Sequence, residues 1–187
     1  MEPHKTAVYI STDKGATWTL RGKAECLDAS TGKNNLDDPT LVEKLDGTLW
    51  LIIRTDDGPY ESFSYDKGVT WTHAVKSSIQ GPATRMTIDR LDSGNLLMVY
   101  HDAADRSRLT AYLSTDDGAT WQYKLLLDER SGVTYPDTVQ TSDGTIYVIY
   151  DRGRTNVKEI LLTRFTEQDV ISGEYTDSTW QKVLVNK

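Results

Sequence analysis

The pattern of apolar and polar residues along this chain predicts short β-strands. Thr48 to Ile53, Leu96 to Tyr100 and Thr145 to Tyr150 are runs of strand-forming residues. Each run follows an Asp-Gly or Ser-Gly signal that is typical of a tight hairpin turn. The turn glycines are Gly47, Gly94 and Gly144. The chain is therefore predicted to be all-β, with almost no helix.

A second pattern, S-x-D-x-G-x-T-W, occurs at Ser11–Trp18, Ser64–Trp71 and Ser114–Trp121, and we call each copy an octet. The octets start 53 and 50 residues apart, and the turn glycines are 47 and 50 residues apart. The Asp can accept backbone hydrogen bonds within its turn, and the Gly tolerates a positive φ. The Trp is expected to be buried between layers. Two interleaved signals in one period predict a repeat protein.

One repeat reads as strand, Asp-Gly turn, strand, loop, strand, octet turn and strand, which is typical of a four-stranded β-propeller blade. We predict one partial propeller domain over residues 1–187, with about 14 strands in about three and a half blades. Its parts are a half-blade at 1–30 and blades at about 31–79, 80–130 and 131–187. In the last blade residues 163–169 stand in place of an octet, and Trp180 is expected to begin the final strand.

Composition narrows the function classes. The net charge of −7 argues against a nucleic-acid partner, because phosphate binding needs a basic surface. No apolar run approaches the roughly 20 residues of a membrane span, and the N-terminus carries no signal-peptide pattern. Cys26 is the only cysteine, so neither an intramolecular disulfide nor a metal site is expected. Localisation stays undecided.

The repeat register indicates where chemistry lies. Nine residues before the turn glycines stand Asp38, Arg85 and Tyr135, and seven residues after them stand Arg54, His101 and Asp151. The loops that follow add Arg106, Arg108, Arg152 and Arg154. Equivalent repeat positions usually hold similar residues, so unlike polar residues at one end of the blades predict a convergent site. Structural readings stay open: Asp38 can shape a strand entry, His101 can be a satisfied structural histidine, and arginines are common in exposed loops.

Three segments resemble the sialidases and their bacterial Asp-box relatives, and the resemblance covers essentially the whole chain. They begin at Asp38-Pro-Thr-Leu, Arg106-Ser-Arg-Leu and Tyr135-Pro-Asp-Thr, and the first of them continues to Arg54. The octets match the family's Asp box. The resemblance implies the C-terminal half of a six-bladed sialidase-like propeller.

The resemblance also implies roles for these residues. Tyr135 would be the nucleophile and Asp38 its base, while Arg54 and Arg106 would bind the substrate carboxylate. Arg85, Arg108 and His101 are further candidates for substrate binding. The implied activity is retaining exo-hydrolysis of a terminal acidic sugar of the sialic-acid type, without a cofactor. A tyrosine nucleophile suits this substrate, because its carboxylate would repel an anionic nucleophile.

Two departures from the family leave alternatives open. Asp38 stands where the family has Glu, and the family's first arginine and its acid/base Asp belong to blades before this chain begins. We therefore expect the chain to be a weak enzyme or inactive, and whether it is an enzyme stays open. The alternatives are a relative that hydrolyses another glycan, given Pro136-Asp137 after the tyrosine, and a non-catalytic glycan-binding or assembly module. We also expect open propeller flanks to favour a homo-oligomer. Full-length family members are often exported.

Overall fold

The computed structural model describes residues 5–26, 36–177 and 180–186, and the chain forms two compact units, residues 1–83 and 84–187. The described residues contain 14 strands and one short α-helix, which confirms the all-β prediction. The first unit holds β1 Lys5–Ile10, β2 Thr19–Glu25, β3 Asp37–Glu43, β4 Leu49–Thr55, β5 Gly58–Ser64 and β6 Val75–Lys76. The second holds β7 Thr87–Arg90, β8 Leu96–His101, β9 Leu109–Ser114, β10 Tyr123–Asp128, β11 Val133–Gln140, β12 Thr145–Arg152, β13 Glu159–Thr166, α1 Glu167–Ser172 and β14 Val183–Asn186.

The strands form one two-stranded sheet and three four-stranded sheets. β1 pairs with β2, and the larger sheets follow chain order as β3–β6, β7–β10 and β11–β14. Every pairing is antiparallel, so each large sheet has the up-and-down order of a propeller blade. The predicted limit between the half-blade and the first blade, at residues 30 and 31, lies outside the described residues.

Each octet is a hydrogen-bonded turn that closes on itself. In the first copy, Ser11 Oγ accepts from Gly15 N at 2.7 Å, and Asp13 accepts from Thr17 N at 2.9 Å and from Thr17 Oγ1 at 2.6 Å. The copies at 64–71 and 114–121 repeat these bonds. They hold the pKa of each octet Asp at about 2, chiefly through the Thr hydroxyl.

The expected burial of the octet tryptophans is wrong. Trp18 is 62% exposed, and Trp71 and Trp121 are only half-buried. The indole of Trp71 folds back over its own turn and donates to Gly68 O at 3.1 Å, and Trp18 does the same to Gly15 O. The ring therefore clamps the turn from outside instead of filling the space between sheets.

In the first unit the β1–β2 sheet packs on the β3–β6 sheet. Ala24, Leu51 and Ile53 meet in the shared core, with Trp71 against it. Gly22 makes the closest approach: a Cβ on it would lie 2.2 Å from Gly68 O. The second octet therefore rests directly on the backbone of β2.

In the second unit the β7–β10 and β11–β14 sheets share one apolar core. It includes Leu97 and Val99 of β8 and Val148 and Tyr150 of β12. Alternate residues of a strand point to opposite faces, so each sheet contributes one face of its central strands.

A helix replaces the octet in the last sheet. The side chain of Thr166 accepts from the Asp169 N–H, and the side chain of Asp169 accepts from the Thr166 N–H. This reciprocal capping box fixes the start of α1. The final strand begins at Val183, three residues later than the expected Trp180, because Trp180 instead lies under the guanidinium of Arg164.

Candidate active site

The first unit brings two predicted site residues into direct contact. Arg54, near the end of β4, donates from Nη1 to Asp38 Oδ2 at 2.7 Å. The side chains are 21% and 29% exposed respectively, so the ion pair is reachable from solvent. The ion pair therefore fixes the direction of the Arg54 guanidinium, the group that binds carboxylates with two parallel N–H bonds.

The backbone explains the direction of Asp38. Its φ is +43°, in the left-handed region, although Pro39 follows it. The register of β3 against β4 shifts between Asp37 and Thr40, so Asp38 stands in a bulge. A bulge re-aims the side chain that it carries, and left-handed non-glycine residues are concentrated at functional sites.

Tyr135 repeats this geometry in the second unit. Its φ is +54°, Pro136 follows it, and the register of β11 against β12 shifts between Thr134 and Asp137. Asp38 and Tyr135 occupy the same position of the repeat. Two copies therefore hold a bulged, left-handed residue where the family resemblance implied a base and a nucleophile.

Arg85 lies beside the Tyr135 segment. The hydroxyls of Thr84 and Thr134, which directly precede the two residues, are buried and 2.9 Å apart. Arg85 Nη2 lies 3.7 Å from Asp137 Oδ1, in a largely exposed contact. The second unit therefore brings Arg85 and Tyr135 to one end of neighbouring sheets, as predicted from their common repeat position.

His101 ties the same two sheets together. Its side chain is buried, and Nε2 donates to Val133 O at 2.9 Å, two residues before Tyr135. Burial lowers the pKa of His101, so the ring is neutral near pH 7 with its lone pair on Nδ1. Nδ1 is buried and has no hydrogen-bond partner. Its role in substrate binding stays a prediction.

The two loop arginines differ in their surroundings. Arg108 has a φ of +52°, and its Nη2 lies 3.6 Å from Asp102 Oδ2, which also accepts from Lys124 at 2.8 Å. The backbone of Arg106 accepts from Gly132 N at 2.7 Å, so this loop is fixed to the segment that leads into β11. Which of the two arginines binds substrate stays a prediction.

Two residues near Tyr135 had received no role from the sequence. The Arg154 guanidinium carbon lies 3.5 Å from the centre of the Tyr135 ring, and its Nε donates to Asp151 Oδ2. Asp151 stands seven residues after its turn glycine, the repeat position that holds Arg54 and His101 in the other two copies. No pattern indicated that Arg154, the second residue of the loop after β12, folds back over the tyrosine.

A buried acid, Asp128, stabilises this end of the second unit through hydrogen bonds. Asp128 is fully buried and accepts two bonds from the Arg130 guanidinium and one from the Tyr150 hydroxyl at 3.0 Å. Burial opposes ionisation of Asp128, but these bonds outweigh it and lower its pKa. Burial, with the Asp128 charge, raises the pKa of Tyr150. Tyr150 is therefore a neutral structural donor.

The contact expected between Asp38 and Tyr135 stays a prediction, because the two residues belong to different compact units. Within the described residues, no group of three or more His, Cys, Asp and Glu side chains is arranged to hold a metal ion. The described part of the chain also has no helix with the length and apolarity of a membrane span.

Comparison with known proteins agrees with the repeat. Residues 2–148 match the model of the BNR repeat-like domain. A xyloglucanase of Paenibacillus sp. is 25% identical in an alignment of 167 residues. The alignment covers 79% of this chain and 16% of that protein. The Hadza microbial sialidase Hz136 aligns with a TM-score of 0.68 at 22% identity, and covers 88% of this chain and 32% of that one.

A leech intramolecular trans-sialidase aligns with a TM-score of 0.69 at 19% identity, over 89% of this chain and 28% of that one. The chain thus spans less than half the length of each of these relatives. The structural likenesses support a propeller fold shared with glycoside hydrolases. With its octets, its blade-like sheets and a family match over most of its length, the chain belongs to the BNR repeat-like domain family.

Proposed function

We propose that this chain carries part of the active site of a retaining exo-glycosidase that acts on a terminal acidic sugar of the sialic-acid type. The observation that carries the proposal is the shared geometry of Asp38 and Tyr135. Each is a polar residue with a left-handed backbone, in a bulge and before a proline, at one position of the repeat. Left-handed residues also stand directly before β9, β13 and β14, at Arg108, Lys158 and Lys182, so the support comes from the combination of a bulge, a following proline and a shared repeat position.

In the proposed reaction, Asp38 takes the proton of the Tyr135 hydroxyl as its oxygen attacks the anomeric carbon. The bond from that carbon to the leaving oxygen breaks, and a glycosyl–tyrosine intermediate forms. The leaving oxygen takes a proton from the solvent. Water then attacks the same carbon as the bond from that carbon to the tyrosine oxygen breaks, Asp38 returns its proton to the tyrosine, and the attacking water releases a proton to the solvent, so the anomeric configuration is retained. Arg54 and Arg106 bind the sugar carboxylate, with Arg85 near the nucleophile. None of these residues is assigned as the acid for the leaving oxygen, so we expect weak or no turnover from the 187-residue chain.

The test is hydrolysis of a fluorogenic sialoside by the purified chain and by the complete product of its gene. Tyr135→Phe should abolish turnover, because the attacking oxygen is removed, whereas Tyr123→Phe alters an exposed tyrosine of the same unit and should not. A fluorinated sialosyl fluoride, whose glycosyl intermediate hydrolyses slowly, should label the peptide that contains Tyr135. Full sialidase activity in the Tyr135→Phe variant would show that the proposed mechanism is wrong.

A second candidate is hydrolysis of another glycan on the same face. The relative in Paenibacillus is named a xyloglucanase, and Asp137 pairs with Arg85 beside the tyrosine, which would alter charge recognition there. Turnover of a neutral oligosaccharide in place of the sialoside would favour this candidate. Binding of a glycan without turnover of any substrate would favour the non-catalytic module.

A further inference from the structure

Arg154 covers one face of the Tyr135 ring. Its guanidinium carbon lies 3.5 Å from the ring centre, which is closer than the two other cation–π contacts of the described residues, at 5.0 Å and 4.2 Å. At this distance the guanidinium carbon is in van der Waals contact with the ring, and its charge meets the negative face of the aromatic system. The phenol is therefore held on one side by a planar cation.

Asp151 holds Arg154 in place. Arg154 Nε donates to Asp151 Oδ2, and this bond is the chief reason that the pKa of Arg154 is raised, with a smaller contribution from the Tyr135 side chain. Asp151 is anchored at the end of β12, where it pairs with Thr134 of β11. The acid, the arginine and the tyrosine thus form a short chain of contacts that starts and ends on paired strands.

Tyr135 needs such support. The residue is only partly buried, and its left-handed backbone in a bulge points the ring away from the regular strand direction. The orientation of this ring matters for the proposed reaction, because displacing a reacting atom by about 1 Å can slow a reaction considerably. Asp151 Oδ2 accepts from Arg154, and the other oxygen, Oδ1, is buried without a hydrogen-bond partner.

We infer that Arg154 is a positioning residue for Tyr135, and that Asp151 acts through Arg154. The inference about catalysis rests on the proposed function, whereas the inference about the orientation of the ring does not. Arginine suits the role better than lysine because its planar guanidinium can stack on the ring and donate sideways to a carboxylate at the same time. The proposed site therefore needs one arginine to orient the nucleophile, in addition to the arginines that bind the sugar carboxylate.

The test uses 3-fluorotyrosine at position 135 and its ¹⁹F resonance in the full chain. Arg154→Gln should shift and broaden this resonance, because the ring loses the charge above it and its single orientation. Arg164→Gln is the matched control: Arg164 also lies over an aromatic ring, that of Trp180, and pairs with an acid, Asp177, in the same unit. Its loss should leave the resonance at 135 unchanged.

Two further variants keep the test decisive if Arg154→Gln folds poorly. Arg154→Lys keeps the charge without the plane and should give an intermediate shift. Asp151→Asn should move the resonance in the same direction as Arg154→Gln, and thermal denaturation reports folding in each case. An unchanged resonance in folded Arg154→Gln or Arg154→Lys would overturn the inference.

Turnover of a fluorogenic sialoside by the complete gene product provides the second readout. Arg154→Gln should lower kcat by about 2- to 30-fold, the range expected for loss of one cation–π contact, with KM changed less than about twofold. A wild-type protein without sialidase activity but with the expected ¹⁹F shift would refute the proposed function and support the positioning role. Unchanged kcat in an active enzyme would refute the positioning role.

Discussion

At the scale of single residues, the ion pair between Asp38 and Arg54 has a dual consequence. It fixes the guanidinium, but it also occupies the group that is proposed to bind the substrate carboxylate. A ligand carboxylate must therefore compete with Asp38 for Arg54. The proposed base and the proposed binding residue are coupled, and a change to one is expected to alter the other.

Asp38→Asn is predicted to separate binding from turnover. The substitution removes the competing charge, so a didehydro sialic acid should bind up to about fivefold more tightly, as expected for release of a partly exposed ion pair. Turnover should be lost because the base is gone. Calorimetric titration and a fluorogenic assay measure the two effects. Asp57→Asn, which breaks the exposed pair of Asp57 with Lys76, should change neither, and weaker binding by Asp38→Asn would contradict the prediction.

At the scale of elements, the octet turn at 64–71 packs on the β1–β2 sheet, which precedes its own sheet. The octet at 64–71 reaches β2 of the preceding sheet at Gly22, where no side chain would leave room for it, and Lys67 O accepts from Arg21 Nε at 3.1 Å. The same octet is stabilised internally by its Asp and Thr. The packing of the octet on β2 and the bonds within the octet can be tested separately.

Gly22→Ala is predicted to destabilise the first unit by about 1–3 kcal/mol, the usual range for overpacking. The added Cβ would meet the carbonyl oxygens of Gly68 and Val69 at 2.2 and 2.8 Å, and neither backbone group can move without displacing the octet. Chemical denaturation measures the loss. Lys23→Ala, at the next and exposed residue, should be nearly neutral. Equal stabilities of the two variants would mean that the octet does not rest on β2.

Acid is predicted to weaken the octets over a defined range of pH. The pKa of Asp66 is lowered to about 2 by its bonds from Thr70, against about 3.9 for an unfolded Asp. Its contribution is fully present above the unfolded pKa and is lost as the pH falls through the folded pKa, which gives a window between about pH 4 and pH 2. Thermal midpoints between pH 2 and pH 6 should fall less steeply for Asp66→Asn than for the wild type. Parallel curves would contradict the prediction.

At the scale of the whole molecule, the described residues leave one face of the β11–β14 sheet exposed. The β11–β14 sheet buries Val148 and Tyr150 on one face, whereas Val139 and Ile149 on the other are 60% and 42% exposed. Ile149 occupies the repeat position of Val99, which is buried against the neighbouring sheet. Apolar sheet faces of this kind are rarely left open on monomers, so the surface favours association.

This chain is therefore predicted to self-associate, and Ile149→Lys is predicted to reduce the association by placing a charge on the apolar face. Light scattering over a concentration series measures the molar mass. Leu45→Lys, at an isolated leucine that is 73% exposed, is the control and should leave the mass unchanged. A wild-type chain that is monomeric at every concentration would refute the prediction.

The local repeat could be predicted from the sequence because its interactions are short in range. The octet bonds join residues two to four positions apart, and the turn glycines fix tight hairpins, so S-x-D-x-G-x-T-W and Asp-Gly indicate strands and blades directly. The register also singled out Asp38 and Tyr135, whose bulges coincide. The octet pattern did not predict the exposure of Trp18, because an indole can pack either on the outer side of its own turn or between two sheets.

The tertiary structure alone decided which polar residues meet. Arg154 and Tyr135 are 19 residues apart, and His101 reaches Val133 across two sheets, so neither contact has a period that a sequence could show. The direction of a long loop side chain depends on the carboxylates and rings that folding brings near it. The sequence by itself determined the strands, their repeat and the positions that hold unlike polar groups. Packing between sheets determined which of those groups touch, because only packing fixes distances between residues that the chain leaves far apart.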